Sequence, residues 1–269
     1  MISTPQNNVS VNTLFFSGHE WNVKTSVGDL IGPGPNFFND SSQNVWVDSN
    51  GSLHLRITHE ICKDAWYCAE VFSIESFGYG TYEFILAPDF ETLDRNVVLG
   101  LFTYLDDFNE IDIEFAKWGQ IENDNGQYAI QPSWKLNHKK RFDFDPQGED
   151  SIHGFKWCKN AIQFWSYTKN KGFCWTYYGP GIPTPSAEHV NMNLWLMQGL
   201  APSNKLETEV IVKSFKFIPS DCVNSLFSFW WVFSFSLIAI LGITICLYGL
   251  LIKKKKNSYK NTIINQMGM

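Results

Sequence analysis

Short runs in which apolar and polar residues alternate follow one another from Trp21 to Pro219. Such alternation places apolar side chains on one face of a strand and polar side chains on the other. Turn-forming segments at residues 32–36, 49–51 and 179–183 separate the runs, and no long helical repeat interrupts them. Many short strands at this spacing predict an all-β fold, an antiparallel sandwich or barrel. The predicted strands are residues 52–58, 81–86, 97–104, 110–115, 128–131, 161–166, 191–196 and 209–212.

One apolar stretch differs from all the others. Residues 226–252 are 27 residues long and carry no charge, whereas about 20 apolar residues span the hydrocarbon core of a bilayer. Trp230, Trp231 and Tyr248 lie near its ends, where aromatic residues anchor membrane helices. This stretch predicts one transmembrane helix, and a very hydrophobic core helix is the weaker alternative.

The four lysines at 253–256 place the C-terminal tail in the cytoplasm and the β domain outside the cell or in a lumen. That topology needs an export signal, and residues 1–16 have neither a charged start nor a long apolar run. A tail-anchored enzyme in the cytosol is the alternative. The predicted organisation is a disordered segment 1–17, a β domain 18–220, a linker 221–225, a membrane helix 226–252 and a basic tail 253–269.

Composition and cysteine content narrow the classes of partner. The net charge is −6 and no basic patch lies outside the lysine run, so a nucleic-acid partner is not expected. Cys62 and Cys68 lie close in sequence, and Cys158 and Cys174 flank a predicted hairpin at residues 169–172. Two disulfides would suit an exported domain. Since no C-x2-C pair occurs, the cysteines do not indicate a metal site.

An unusual strand carries the candidate chemistry. In residues 108–115, FNEIDIEF, the side chains of Glu110, Asp112 and Glu114 share one face of the strand. Acidic residues are depleted in strands, and like charges so aligned repel one another. A half-solvated strand with a polar outer face would explain the alternation, but an ordinary polar face mixes Thr, Lys and Ser with its acids.

A retaining glycosidase explains the three acids better. This reaction needs an ionised carboxylate as nucleophile and a protonated carboxyl as general acid, about 5–5.5 Å apart. A third carboxylate between them can hold a proton and separate their pKa values. Because residues four apart on a strand have Cα atoms about 13 Å apart, Glu110 and Glu114 must lean towards each other.

The motif formed by Glu110, Asp112 and Glu114 resembles the E-x-D-x-E signature of glycoside hydrolase family 16, the laminarinase- and lichenase-like β-jelly rolls. The resemblance implies a concanavalin-like jelly-roll sandwich over nearly all of residues 18–220. Further segments resemble the family in the same order, at residues 68–70, 77–83, 101–104, 153–157 and 192–195.

The family resemblance also assigns roles. It implies that Glu110 is the nucleophile, Asp112 the assisting carboxylate and Glu114 the acid/base. Phe72 stands where lichenases carry an arginine, so the resemblance does not define the glucan, and His153 at a family position is expected to be structural. The substrate-binding residues that it implies are Tyr104, Phe108, Asn193, Trp195 and Asn36.

The sequence therefore predicts a retaining endo-glycosidase that cleaves β-1,3- or mixed β-1,3/1,4-glucan by double displacement. Its expected partners are a polysaccharide and a membrane, the latter through residues 226–252. No cofactor or catalytic metal is expected; the family resemblance allows a structural calcium ion, but no acidic loop indicates one. Two alternatives stay open, a transglycosylase that remodels glycan and a non-catalytic, membrane-anchored glycan-binding protein.

Overall fold

The structure is a computed structural model that describes residues 12–220. These residues form sixteen strands and two short 3-10 helices, Pro88–Thr92 and Met197–Gly199. The strands are β1 (Thr13–Phe16), β2 (His19–Val23), β3 (Phe37–Phe38), β4 (Val45–Val47), β5 (Leu53–Glu60), β6 (Ala65–Ser73), β7 (Gly80–Leu86), β8 (Val97–Asp106), β9 (Asn109–Ala116), β10 (Gly126–Ile130), β11 (Lys139–Phe142), β12 (Ser151–Cys158), β13 (Ala161–Tyr167), β14 (Gly172–Tyr177), β15 (His189–Leu196) and β16 (Thr208–Pro219).

The strands form two layers. The front layer has the order β11-β10-β9-β8-β15-β6, with β2 beside β6, and the back layer has the order β5-β16-β7-β12-β13-β14. The β5–β6 hairpin joins the layers, and every pairing is antiparallel except the short contact between β3 and β6. The predicted all-β antiparallel sandwich is confirmed.

Apolar side chains from both layers fill the space between them. The ring of Tyr128 on β10 stacks on Phe164 of β13 with centroids 4.9 Å apart, and its hydroxyl donates to Ser166 Oγ at 2.8 Å. His153 on β12 is fully buried, with ring nitrogens bonded to Ser151 Oγ and Ser166 Oγ. Because burial lowers the pKa of His153 to about 3, the imidazole is neutral. The structural role expected of His153 is confirmed.

Each predicted strand is present, but its ends differ from the prediction. The last one, predicted over residues 209–212, runs to Pro219 because it pairs first with β5 and then with β7. The predicted disorder of residues 1–17 is wrong for β1. Phe16 is buried there, and Trp21 Nε1 donates to its carbonyl oxygen at 3.0 Å, so β1 and β2 form a closed hairpin.

The cysteine pairs suggested by the sequence do not form. Cys158 is in a disulfide, whereas Cys62, Cys68 and Cys174 are free. Strand β13 lies between Cys158 and Cys174, which keeps their strands about 10 Å apart. Cys62 is exposed in a turn while Cys68 is buried.

The predicted membrane helix at residues 226–252 and the tail at 253–269 lie outside the described residues. Within residues 12–220, no helix has the length and apolar character to cross a bilayer.

Candidate active site

The strand β9 separates its side chains between the core and a groove. Ile111, Ile113 and Phe115 are buried between the layers. The carboxyl groups of Glu110, Asp112 and Glu114 line a groove of about 440 Å³ on the outer face of the front layer. The alternation in the sequence therefore brings the three acids together, as predicted.

The register of the front layer aligns one residue from each of six strands in a row, and all of these residues except Gly100 have polar side chains. Directly opposed residues in antiparallel strands share a face and lie about 4.5–5.5 Å apart. Glu114 is therefore linked through its neighbours to both sides of the sheet. In order from β6 to β11, the row comprises Glu70, Asn193, Gly100, Glu114, Gln127 and Arg141.

The environment of Glu114 favours its protonated form. Burial raises the pKa of Glu114 to about 8, and the charge of Asp112 adds to this effect. Gln127 Nε2 donates to Glu114 Oε2 at 2.8 Å, and Arg141 Nε donates to Gln127 Oε1 at 3.1 Å. The Gln127 hydrogen bond and the Arg141 charge lower the pKa and so oppose the burial. Glu114 still keeps its proton at neutral pH, as a general acid must.

The other two acids share a hydrogen bond. Burial and the charge of Glu110 raise the pKa of Asp112 well above its ordinary range. Burial also raises the pKa of Glu110, to about 8, but the hydrogen bond with Asp112 lowers it. The hydrogen bond thus favours the proton on Asp112 over Glu110, while burial holds the pKa of Glu110 as high as that of Glu114. Gln131 Nε2 holds the other side of Asp112 by donating to its Oδ2 at 2.9 Å.

Comparisons with known proteins agree with this geometry. No protein-family model matches the chain. A β-glucanase of Bacillus subtilis (strain 168) is 29% identical over 169 residues, which cover 60% of this chain and 65% of that enzyme. The solved structure of Bacillus licheniformis β-glucanase matches with a TM-score of 0.56 at 22% identity, over 80% of this chain and 95% of that one. This chain has the lichenase-like jelly roll of glycoside hydrolase family 16.

Two qualifications accompany the family 16 fold. The chain spans less than two thirds of the length of the curated β-glucanases it matches, between 62% and 65%. One similar solved structure, at TM-score 0.57 and 22% identity over 74% of this chain and 91% of that one, is described as a pseudo β-1,3-glucanase of Mycobacterium tuberculosis.

The sugar-binding residues expected from family 16 fall into two groups. Tyr104, Asn193 and Trp195 line the groove. Phe108 lies on the β8–β9 turn, 61% exposed and outside the groove lining. Asn36 is buried, and its Nδ2 donates to the carbonyl oxygens of Pro33 and Leu196 at 2.7 and 2.8 Å.

The assignment of Asn36 to sugar contact is therefore corrected. Its amide nitrogen is bonded to backbone carbonyls, so the side chain supports the loop of residues 31–36 from behind. Gly32 and Pro33 of that loop form the groove wall. The sequence position matches the family pattern, but the side chain stabilises the groove wall through hydrogen bonds and does not point into the groove.

Sequence reasoning missed a partly buried ion pair in the groove. Lys24 Nζ donates to both carboxylate oxygens of Glu70, at 3.0 and 2.9 Å, and to the Gly32 carbonyl at 2.8 Å. Glu70 lies in the C-A-E segment that resembles family 16, but Lys24 is 46 residues away and has no motif. The other lining or supporting residues that were missed are Gly100, Phe102, Asn191, Gln127 and Gln131.

Proposed function

We propose that this domain is a retaining endo-glycosidase that cleaves β-glucan. The observation that carries the proposal is the division of labour among three acids in one groove. Glu110, Asp112 and Glu114 line one groove from a single strand. The hydrogen bond with Asp112 opposes the effect of burial on the pKa of Glu110, and burial raises the pKa of Glu114. Double displacement requires one carboxyl ionised and the other protonated. We assign the anion to Glu110, whose partner Asp112 favours it, and the proton to Glu114.

The proposed reaction proceeds in two steps. Glu110 attacks the anomeric carbon as its bond to the leaving oxygen breaks, and Glu114 donates a proton to that oxygen. Glu114, now ionised, removes a proton from water as the water displaces Glu110. Two inversions at one carbon give net retention. The hydrogen bond from Asp112 is stronger to the Glu110 carboxylate than to the ester, so it stabilises Glu110 both before the attack and as it leaves.

A β-1,3- or mixed β-1,3/1,4-glucan is the proposed substrate. The support is the description of the related Bacillus proteins as β-glucanases. Lys24, Glu70 and Asn193 place donors and acceptors for sugar hydroxyls along one side of the groove. Phe72, on the same face of β6 as Glu70, replaces a cationic side chain with an apolar one, which favours contact with a ring face over bonding to a hydroxyl.

The test is turnover on a panel of β-glucans by the wild type and three variants. Glu110→Gln is expected to lose at least about 1,000-fold in kcat while still binding glycan. Glu114→Ala is expected to keep activity on aryl glycosides with good leaving groups, and added azide to increase it. Exposed Glu122 lies on the β9–β10 connection, and Glu122→Gln is the matched control with unchanged rates. Undiminished turnover in Glu110→Gln would refute the assigned nucleophile.

A glycan-binding protein without turnover is the second candidate, because one structure of the same fold is described as a pseudo-glucanase. Calorimetric binding of glucan by a wild-type protein with no product release would select this function. If turnover occurs, product analysis with an added acceptor oligosaccharide separates hydrolysis from transglycosylation.

A further inference from the structure

Two large aromatic side chains stand exposed at the Glu110 end of the groove. Phe108 is 61% exposed and Trp134 is 74% exposed. Their ring centroids are 6.3 Å apart, with the planes at 77°. The edge-to-face contact fixes the rings relative to each other, yet leaves most of their apolar surface in water. Binding of a ligand over this surface is favourable because it removes apolar area from water.

The two rings continue the wall of the groove. Tyr104 and Asp107 line the groove at this end, and Phe108 follows Asp107 in the β8–β9 turn. Trp134 belongs to the loop of residues 131–138 between β10 and β11. The backbone N–H of Gln131 at the start of this loop donates to the carbonyl oxygen of Glu110 at 3.0 Å. A glycan chain that occupies the groove and extends past Glu110 would therefore reach these rings.

Hydrogen bonds at both ends hold the loop in place. Gln131 donates to Asp112 through Nε2, and its Oε1 accepts from the Ser133 N–H at 2.8 Å. At the other end the buried His138 bonds to the carbonyl oxygens of Ile130 and Pro180 at 3.0 and 3.2 Å. Trp134 therefore lies on a loop that is already ordered before a ligand binds, so binding does not have to offset the entropy cost of ordering the loop.

We propose that Trp134 binds one further glucose unit of the substrate, outside the groove and beyond Glu110. The indole ring stacks on the apolar C–H face of the pyranose, and Phe108 supports the ring from the side. This inference rests on the proposed function and deepens it. The ligand is the same β-glucan chain that occupies the groove, so the site selects chains long enough to reach from Glu110 to Trp134.

The test uses the full chain with Glu110→Gln, so that turnover does not consume the ligand. Calorimetry measures the affinity for β-1,3-gluco-oligosaccharides of increasing length. Trp134→Ala is expected to lower the affinity for the longest of them about tenfold and to leave the affinity for the shortest unchanged. Tyr167, exposed on β13 of the back layer, provides the matched control Tyr167→Ala, which keeps the affinity for every length.

Two outcomes would overturn the inference. An equal loss at all lengths would mean that Trp134 supports the groove itself, and no loss at any length would mean that it does not touch the ligand. Turnover of glucan by the wild type is measured separately and reports on the proposed reaction. An inactive wild type with a length-dependent loss in Trp134→Ala would reject the hydrolase and retain the sugar-binding role of Trp134.

Discussion

The proton on Glu114 depends on a balance of opposing effects on one side chain. Burial raises its pKa to about 8, whereas the Gln127 amide and the charge of Arg141 lower the pKa. A general acid serves best when its pKa lies close to the working pH. The partners of Glu114 therefore place it in the range where the proton is both held and transferable.

This balance predicts a shift in the pH profile of activity. Glu114 must be protonated to act as acid, so kcat/KM of the wild type is expected to fall as pH rises above about 8. Gln127→Leu removes a hydrogen bond that stabilises the anion, so the basic limb is expected to move up by about 0.5 to 1 pH unit. The measurement is kcat/KM from pH 4 to 10 on a soluble β-glucan.

Gln163 on the back-layer strand β13 provides the control. It is exposed and remote in the sheet order from Glu114, and Gln163→Leu should leave the profile unchanged. A basic limb that stays in place or moves to lower pH in Gln127→Leu would contradict the assignment of Glu114 as the acid.

At the scale of the strands, Gly100 on β8 makes room for two neighbours. It pairs with Glu114 on one side and with Asn193 on the other. A Cβ atom at this position would lie 2.5 Å from Asn193 Oδ1 and 3.3 Å from the ring of Phe102. Asn193 in turn donates to Glu70 Oε2 at 3.3 Å. The missing side chain thus allows the polar row to cross β8 at a position flanked by Leu99 and Leu101.

The Gly100→Ala variant is expected to displace the Asn193 side chain. The overpacking should cost about 1–3 kcal/mol in the free energy of unfolding, measured by urea denaturation. Asn193→Ala removes the side chain that a Cβ at position 100 would contact. Gly100→Ala should therefore reduce the free energy of unfolding by less in the Asn193→Ala background. Equal costs in both backgrounds would show that the two positions are not coupled.

Eight of the sixteen strands were predictable from the sequence because their alternation reflects local burial. In β9, for example, every second residue faces the core, and that pattern is visible in eight letters of sequence. β1 was missed because its sequence TLFF does not alternate, and its order comes from pairing with β2. The row through Glu114 was also out of reach, since register between strands distant in sequence depends on the packing of the whole sandwich.

The same limit explains the residues that were misassigned or missed. Asn36 follows a family pattern, but only the position of the Leu196 carbonyl, 160 residues away, shows what its amide binds. Lys24 reaches Glu70 from the segment that follows β2, with no signal in either part of the sequence. The chemistry-bearing acids were local in sequence and therefore visible, whereas their supports are distributed over the fold.

At the scale of the molecule, a neutral histidine lies where the two layers meet. His153 is packed against the rings of Phe90, Phe115 and Phe144, and it is bonded to Ser151 and Ser166. The pKa of His153 is lowered to about 3 in the folded protein, from an ordinary value of 6.5. Below pH 6.5 the unfolded chain binds a proton at this residue and the folded chain does not.

The contribution of His153 to stability is therefore complete above pH 6.5 and is lost as pH falls towards 3. His153→Gln cannot take up that proton. It is expected to be less stable than the wild type at pH 7, with a pH dependence of stability shallower by about 1.4 kcal/mol per pH unit between pH 6 and 4. Urea titrations at several pH values measure both quantities.

Ser166→Ala removes one hydrogen-bond partner but keeps the imidazole, so it should retain the wild-type slope. If the free energy of unfolding of His153→Gln and of the wild type fell in parallel below pH 6.5, protonation of His153 would not be the cause of the loss of stability in acid.

The polar row that crosses the front layer ends on β11, the outermost strand of that layer, at Arg141. Replacement of Arg141 is expected to change the pKa of Glu114 through Gln127 and through charge, although Arg141 is not among the residues that line the groove. The proton affinity of Glu114 can therefore be altered from the margin of the sheet, with the residues that line the groove left unchanged.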